Sequence, residues 1–208
     1  MSACRALRRH PSRRRTTVLA AGAALAALTL TACGSGKDTS GGGGQTQFVQ
    51  GTGGVDVAKD RAGRRDAPEL SGKTIDGKQL DVAQEYKGKI VVLNVWGSWC
   101  SPCRAEAKNL VTVANDYKDK GVEFVGLDTR DPDPAPAQAF EKEFKVPYPS
   151  LYDSSGKLLL RFPKGSLNPQ SIPSTVFIDR DGKIAARAMK ALSEEELRKT
   201  LDPLVAEK

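Results

Sequence analysis

The sequence has almost no histidine. Its 208 residues contain a single one, His10, which lies in a basic stretch near the amino terminus. Hydrolases of the Ser-His and Cys-His types need an imidazole to activate the nucleophile, so this shortage excludes them. A zinc site at Cys100 and Cys103 would need about four soft or imidazole ligands, and a second subunit would have to supply the missing ones. We therefore predict no metal and no cofactor.

Outside its first part, the chain has almost no excess of basic charge. The net charge of +7 comes from 32 Lys and Arg residues against 25 Asp and Glu residues. Six arginines precede residue 33, where no acidic residue occurs: Arg5, Arg8, Arg9, Arg13, Arg14 and Arg15. Without them, 26 basic residues face 25 acidic ones. The positive charge therefore belongs to a targeting segment, and we predict no nucleic-acid partner.

The apolar run at residues 18–28 is too short to span a bilayer comfortably. Behind a basic start, such a run is typical of the h-region of a signal peptide. It leads to Leu30-Thr31-Ala32-Cys33, which resembles the lipobox of bacterial lipoproteins. The resemblance implies that Cys33 is lipidated and becomes the first residue of the mature protein. A plain secretory signal or an uncleaved anchor is the alternative, and both Sec and twin-arginine export stay open.

Cysteine is scarce, with four residues in the chain. Cys4 would leave with the signal peptide, and Cys33 would carry the lipid. The mature chain then has one possible intramolecular disulfide, between Cys100 and Cys103. A purely structural disulfide that closes so short a loop would add little stability, because the loop-closure entropy is small. An exported pair would also tend to oxidise unless another protein reduces it.

The two cysteines lie where a predicted strand meets a predicted helix. Residues 89–96 are almost continuously apolar and β-branched, as in a strand that is buried on both faces. Residues 104–120 then change to helical spacing. Free N–H groups and the helix dipole at the start of this helix favour a thiolate at Cys100. Cys103 follows about one turn later, close enough for a reversible disulfide. We predict a redox site.

With these motifs the sequence resembles the thioredoxin-like family, and in particular the extracytoplasmic thiol-disulfide oxidoreductases of the TlpA, ResA and CcmG type in the redoxin superfamily. The resemblance covers roughly residues 67–207. It rests on Val-Val-Leu-Asn-Val-Trp-Gly-Ser-Trp-Cys-Ser-Pro-Cys-Arg at residues 91–104, on Glu106, and on Ile-Pro-Ser-Thr-Val-Phe-Ile-Asp at residues 172–179.

The sequence predicts three parts: a lipoprotein signal peptide at residues 1–32, a lipidated Cys33 with a flexible Gly/Ser-rich tether at residues 33–66, and a thioredoxin-like domain at residues 67–208. For residues 48–50 the sequence allows loose pairing with the domain. From residue 67 on, strands alternate with helices and end in a hairpin and a helix. We predict an α/β thioredoxin-like fold, in which helices flank a central mixed β-sheet and an N-terminal β-hairpin extension precedes it.

The resemblance also implies a substrate-binding surface beside the disulfide. In the family, the proline that matches Pro173 is cis and lies against the disulfide. The residue before it, here Ile172, offers backbone hydrogen bonds to a bound polypeptide. An ordinary turn is the alternative for this pair. Trp99, next to Cys100, is predicted to form the apolar rim on which substrates rest, whereas Trp96 is predicted to pack in the core.

Glu106 is the candidate proton acceptor. Thioredoxins carry an Asp where this chain has Asn94, so the usual buried acceptor is missing. Glu106 lies three residues after Cys103 and shares a helix face with it. A solvated glutamate that pairs with nearby lysines is the alternative. The resemblance implies a functional glutamate at this position.

The predicted function is a membrane-tethered thiol-disulfide oxidoreductase on the extracytoplasmic face of a bacterial membrane. By resemblance, Cys100 attacks and Cys103 resolves disulfides in partner proteins such as apocytochrome c, in cytochrome c maturation. A membrane thiol-disulfide electron donor would restore the dithiol, and we predict a monomer. Two alternatives stay open: an oxidase or isomerase of secreted thiols, and a non-catalytic module that binds polypeptides.

Overall fold

A seven-stranded mixed sheet forms the centre of the protein in a computed structural model, which describes residues 48–207. The strands are β1 (Phe48–Gln50), β2 (Val55–Ala58), β3 (Ser71–Lys73), β4 (Gln79–Asp81), β5 (Ile90–Trp96), β6 (Val122–Thr129), β7 (Ser150–Asp153), β8 (Ser174–Ile178) and β9 (Ile184–Ala188). The sheet order is β1-β2-β9-β8-β5-β6-β7, while β3 and β4 pair separately as the predicted hairpin. β5 is parallel to β6, and β6 is parallel to β7.

Within residues 48–207, four α-helices accompany the strands. They are α1 (Val82–Glu85), α2 (Ser101–Tyr117), α3 (Pro134–Phe144) and α4 (Glu194–Ala206). Short 3₁₀ turns occur at Thr52–Gly54, Lys118–Lys120 and Leu159–Arg161. The 3₁₀ turn Lys118–Lys120 directly follows α2. Gly121 ends this turn in the left-handed conformation, with φ 76°. Ser193 and Glu196 form the capping box of α4.

β5 lies inside the sheet between β8 and β6, and all seven of its residues are buried. Successive side chains point to opposite faces of the sheet. Val92 packs in a cluster with Leu110 of α2 and Leu201 of α4, so these helices cover one face. Leu93 packs in a second cluster, with Val82 of α1 and with Leu159. The predicted thioredoxin-like α/β arrangement, with helices around a mixed sheet, is confirmed.

The ordered domain begins earlier in the chain than residue 67. β1 pairs with β2, and β2 pairs with β9 in the main sheet. Val55 is buried, and Asp56 forms an ion pair with Arg187. The pairing that the sequence allowed for residues 48–50 is found as β1 with β2, whereas the tether prediction does not hold for residues 55–58, where a short strand follows a glycine-rich segment that obscured it. The rest of the predicted tether before residue 48, and the predicted signal peptide, lie outside the described residues.

None of the helices within residues 48–207 has the length and apolar content that crossing a bilayer requires.

Among the same residues, the parallel pairs β5–β6 and β6–β7 end at one edge of the sheet. α2 begins at that edge, directly after the loop that follows β5. Carboxyl ends of parallel strands are the usual place for a functional site, and the two cysteines lie there.

Candidate active site

Cys100 and Cys103 form a disulfide at the start of α2, with their Cα atoms 5.2 Å apart. Cys100 is the N-cap residue of the helix, and its Sγ accepts the backbone N–H of Cys103 over 3.2 Å. This N–H group and the helix dipole stabilise negative charge on the Cys100 sulfur. Both residues are buried, at 4% and 2% exposure, so exposure does not separate their roles. The two cysteines differ in position instead, because Cys100 is the N-cap residue of α2 and Cys103 is the third residue of the helix.

The two tryptophans that flank the site differ in exposure. Trp96 is 4% exposed and stacks on Phe140 of α3, with ring centroids 4.3 Å apart, so it packs in the core as predicted. Trp99 is 52% exposed. The guanidinium carbon of Arg130 lies over its ring, 5.0 Å from the centroid. The residue next to Cys100 therefore presents an apolar surface with a cation beside it.

Ile172 and Pro173 come directly before β8, and the peptide bond between them is cis, as the resemblance implied. Ile172 is half-buried and packs against the apolar cluster that contains both cysteines. The Oγ of Ser174 donates a hydrogen bond to the carbonyl of Ser171 over 2.6 Å, which closes this turn. The structure therefore places Ile172 beside the apolar cluster that contains the disulfide.

Glu106 is buried within the protein at 1% exposure. Its Oε1 accepts a hydrogen bond from the Asn94 side-chain amide over 2.9 Å, and its Oε2 accepts the Leu192 backbone N–H over 2.8 Å. Burial raises the pKa of Glu106 to about 7, although both hydrogen bonds act to lower it. The interpretation as a solvated, lysine-paired glutamate is wrong. A carboxyl with this pKa exchanges its proton near neutral pH, one helical turn from Cys103.

Two aspartates beside the site were not predicted from the sequence. Asp131 is 2% exposed, and its carboxylate accepts both the backbone N–H of Ser98 over 2.9 Å and the Ser98 hydroxyl over 2.7 Å. It thereby fixes the turn that carries Trp99 and Cys100. The available signal was the alternation along β6, which places Asp128 on the same sheet face as Phe124.

Asp128 is fully buried, and within residues 48–207 neither of its carboxylate oxygens has a hydrogen-bond partner. It lies opposite Trp96 in the register of β5 and β6. Burial, the largest cause, and the neighbouring carboxyl of Asp131 together raise the pKa of Asp128 to about 9. Asp128 is therefore protonated at neutral pH.

The comparison with protein families agrees with this geometry. The redoxin family profile matches residues 61–202, which include the disulfide, the buried glutamate and the cis-proline segment. The chain belongs to the redoxin family. The profile begins before residue 67, in agreement with the earlier start of the ordered domain.

Named relatives of this redoxin are thiol-disulfide exchange proteins. The thiol-disulfide oxidoreductase ResA of Bacillus cereus (strain ATCC 10987) is 31% identical over 137 residues, which is 66% of this chain and 75% of that protein. The thiol:disulfide interchange protein HelX of Rhodobacter capsulatus is 36% identical over 120 residues, covering 57% of this chain and 62% of HelX.

A solved structure adds the same fold. The DsbF homologue from Corynebacterium diphtheriae superposes with a TM-score of 0.68 at 31% identity, over 77% of this chain and all of that one. This redoxin is a thiol-disulfide oxidoreductase, and the Cys100–Cys103 pair is its redox centre. That conclusion confirms the predicted class of enzyme.

The structure brings most of the predicted site residues of this redoxin together. Ile172 packs in the same cluster as both cysteines, Trp99 directly precedes Cys100, and Glu106 follows Cys103 on the same helix. Cys33, the predicted lipidation site, lies outside the described residues. The individual roles of these residues stay predictions.

Proposed function

We propose that this redoxin reduces disulfides in exported partner proteins, with apocytochrome c as the substrate that the family resemblance implies. The observation that carries the proposal is the buried Glu106, whose pKa is raised to about 7 one turn from Cys103. Release of a mixed disulfide needs a resolving thiol that loses its proton in a shielded place. A carboxyl that exchanges protons near neutral pH fits that task.

The reaction has two exchange steps. The Cys100 thiolate attacks one sulfur of the partner's disulfide, so a Cys100–partner disulfide forms and the partner's own disulfide breaks. The other partner sulfur leaves as a thiolate and takes up a proton. Cys103 then gives its proton to Glu106 and attacks the Cys100 sulfur, which releases the second partner sulfur as a thiolate that takes up a proton in turn. The partner gains two electrons and two protons, and the Cys100–Cys103 pair is oxidised.

The surroundings of the pair support reduction over oxidation. A dithiol becomes a strong oxidant when its reduced form is stabilised as a thiolate. Here both cysteines are buried, which disfavours a charged sulfur. The buried acid Glu106 adds negative charge nearby when it is ionised. Against these effects stands the N–H group of Cys103. We therefore infer that the dithiol form gives up its electrons readily.

Regeneration and location complete the proposal. An oxidised pair outside the cytoplasm needs a reductant, and a membrane thiol-disulfide electron donor would supply the electrons.

We propose that the protein acts as a monomer on the extracytoplasmic face of the bacterial membrane, anchored by lipid at Cys33 after removal of residues 1–32. The lipobox-like Leu30-Thr31-Ala32-Cys33 supports the anchor. In Cys33→Ala the lipid label should be lost, and detergent-phase partitioning identical to wild type would contradict the anchor.

Single-turnover reduction of a disulfide peptide tests the enzymatic proposal. The probe is a peptide that carries an oxidised Cys-x-x-Cys-His segment, as found at c-type haem attachment sites. The reduced protein should convert it to the dithiol and become oxidised itself, and Cys100→Ser should be inactive. A reduced wild-type protein that leaves the peptide oxidised, while dithiothreitol reduces it, would contradict the proposed reductase function.

A further inference from the structure

Arg130 and Trp99 form a joint surface beside the redox centre. The Arg130 guanidinium lies 5.0 Å from the Trp99 ring centroid, and both residues are exposed. Trp99 directly precedes Cys100, the sulfur that is proposed to attack the substrate. A polypeptide that brings its disulfide to Cys100 therefore comes close to a positive charge. Neither the residue patterns nor the family resemblance assigned a role to Arg130.

The backbone at Arg130 has a φ of 63°, in the left-handed region. Glycine and asparagine adopt this conformation most readily, and a long side chain there costs conformational energy. Among residues 48–207, Lys145 is the other non-glycine residue with positive φ, and it ends helix α3. Arg130 ends no helix, since it follows strand β6. Strain of this kind at a functional site indicates that the side chain is needed there.

The position of Arg130 relative to the redox centre is fixed through the next residue in the chain, Asp131. The next residue, Asp131, is buried and holds Ser98 through two hydrogen bonds. Ser98 is the residue before Trp99. The end of β6 and the turn that carries Cys100 are therefore tied together, and Arg130 and Trp99 keep a defined relation to the attacking sulfur.

The charge of Arg130 is also available to a ligand. In the described part of the chain, no carboxylate lies within ion-pair distance of its guanidinium, whereas Arg104 of α2 pairs with Glu143 over 2.6 Å. Both carboxylate oxygens of the neighbouring Asp131 are bonded to Ser98. We propose that Arg130 is a specificity determinant, which favours substrate polypeptides with an Asp or Glu side chain next to the disulfide. This inference rests on the proposed reductase function.

The size of the preference follows from the exposure of the pair. An ion pair at a protein surface stabilises a complex modestly, and the pair is screened by salt. A carboxylate beside the attacked cysteine should raise the rate of exchange by about fivefold over a lysine at the same position at low ionic strength. The ratio should approach one in about 1 M salt.

Two synthetic peptides test the inference. They carry the same intramolecular disulfide and differ in one residue beside the attacked cysteine, Glu in one and Lys in the other. Each is mixed with the reduced protein in a single turnover. Because both peptides meet the same Cys100 thiolate, the ratio of their rates cancels any effect of a variant on the reactivity of that sulfur. The variants are Arg130→Glu and Arg130→Gly, and the control is Lys118→Glu.

Lys118→Glu changes the net charge as Arg130→Glu does, but at the exposed far end of the α2 segment. We expect wild type and Lys118→Glu to prefer the Glu peptide about fivefold, and Arg130→Glu to prefer the Lys peptide. Arg130→Gly should lose the preference and unfold at a higher temperature, since it removes the backbone strain.

Three results would overturn the inference. Equal rates with both peptides in wild type would do so while leaving the proposed reductase function intact. An unchanged Glu preference in Arg130→Glu would show that another group sets the preference. If the reduced wild-type protein reduces neither peptide, the reductase function fails and this inference fails with it.

Discussion

Asn94 of β5 donates its side-chain N–H to Oε1 of Glu106 in α2 over 2.9 Å. The same amide nitrogen lies 3.2 Å from Oγ1 of Thr175 in β8, and Leu192 holds the second Glu106 oxygen through its backbone N–H. The buried acid is therefore held by β5 and by the segment before α4, and Asn94 in turn contacts β8. Where the thioredoxin pattern has an acid in the strand, this chain has an amide, and the acid lies in the helix.

Glu106→Gln should slow the release of mixed disulfides by about a hundredfold, the lower end of what general acid–base catalysis contributes. The amide keeps the shape of the side chain but cannot take a proton from Cys103. The wild-type rate should rise with pH through about 7, where Glu106 loses its proton, and the variant should lack this inflection. Stopped-flow release of a labelled peptide, followed against pH, measures both effects.

The matched control is Glu195→Gln, which removes an exposed carboxylate that pairs with Lys199 on α4. It should leave the pH profile of peptide release unchanged. If the profiles of Glu106→Gln and wild type superimpose, Glu106 has a structural role alone.

Cys103→Ser should accumulate mixed disulfides with partner proteins, because the attacking Cys100 at the helix N-cap is kept and the resolving thiol is lost. Cys100→Ser should form few or none. Non-reducing gels of cells that express each variant, followed by mass spectrometry, measure the trapped complexes. The reverse pattern would exchange the roles of the two thiols.

Asp128→Asn should make stability less dependent on pH. Burial raises the pKa of Asp128 to about 9 in the folded protein, from its ordinary value of 3.8 in the unfolded chain. Between these values the folded protein holds one more proton than the unfolded chain, so its stability falls as pH rises, and this contribution is lost as pH rises through about 9. The slope is about 1.4 kcal/mol per pH unit for one proton.

Urea unfolding of the oxidised protein between about pH 7.5 and pH 8.5 reports mainly on this effect, because the disulfide-bonded cysteines do not titrate and the window lies above the pKa values of about 7 to which burial raises Glu106 and Glu141. Asp128→Asn should lack the slope. Asp133→Asn, which alters the exposed N-cap of α3, should keep it. A wild-type stability that stays flat over this range would show that Asp128 is ionised in the folded protein.

Asp131→Ala should destabilise the protein by about 1–3 kcal/mol, because the Ser98 backbone N–H loses a charged acceptor. It should also slow alkylation of Cys100 by loosening the turn at residues 97–100. Ser98→Ala removes the hydroxyl bond alone and should cost about 0.5–1.5 kcal/mol. Urea unfolding measures both. If Ser98→Ala lowers the free energy of unfolding as much as Asp131→Ala does, the hydrogen bond of the Ser98 hydroxyl accounts for the whole effect of Asp131→Ala on stability.

Three features had strong local patterns and were therefore predictable: strand β5, the Cys-x-x-Cys pair and helix α2. Six of the seven residues of β5 are apolar, Pro102 suits a first helical turn, and Gly121 ends the 3₁₀ turn that follows α2. The cis peptide before Pro173 followed from the family resemblance and from no local pattern. Local chemistry thus determines most of the architecture around the disulfide.

Burial of polar groups was harder to predict, since it depends on contacts between distant segments. Glu106 is buried because Asn94 and Leu192, 12 residues before it and 86 after it, donate hydrogen bonds to it. Asp128 and Asp131 lie in a stretch rich in Asp and Pro that is typical of a loop. β2 escaped prediction because its four residues carry too short a pattern beside several glycines.

The reduction potential of the Cys100–Cys103 pair is the most direct test of the account. It is measured by equilibrating the protein in dithiothreitol or glutathione buffers and counting free thiols. Two buried sulfurs beside a buried acid predict a potential of about −270 mV or lower, the range of a thioredoxin-like reductant. A value near about −120 mV, the range of a strong oxidant, would contradict the reductase.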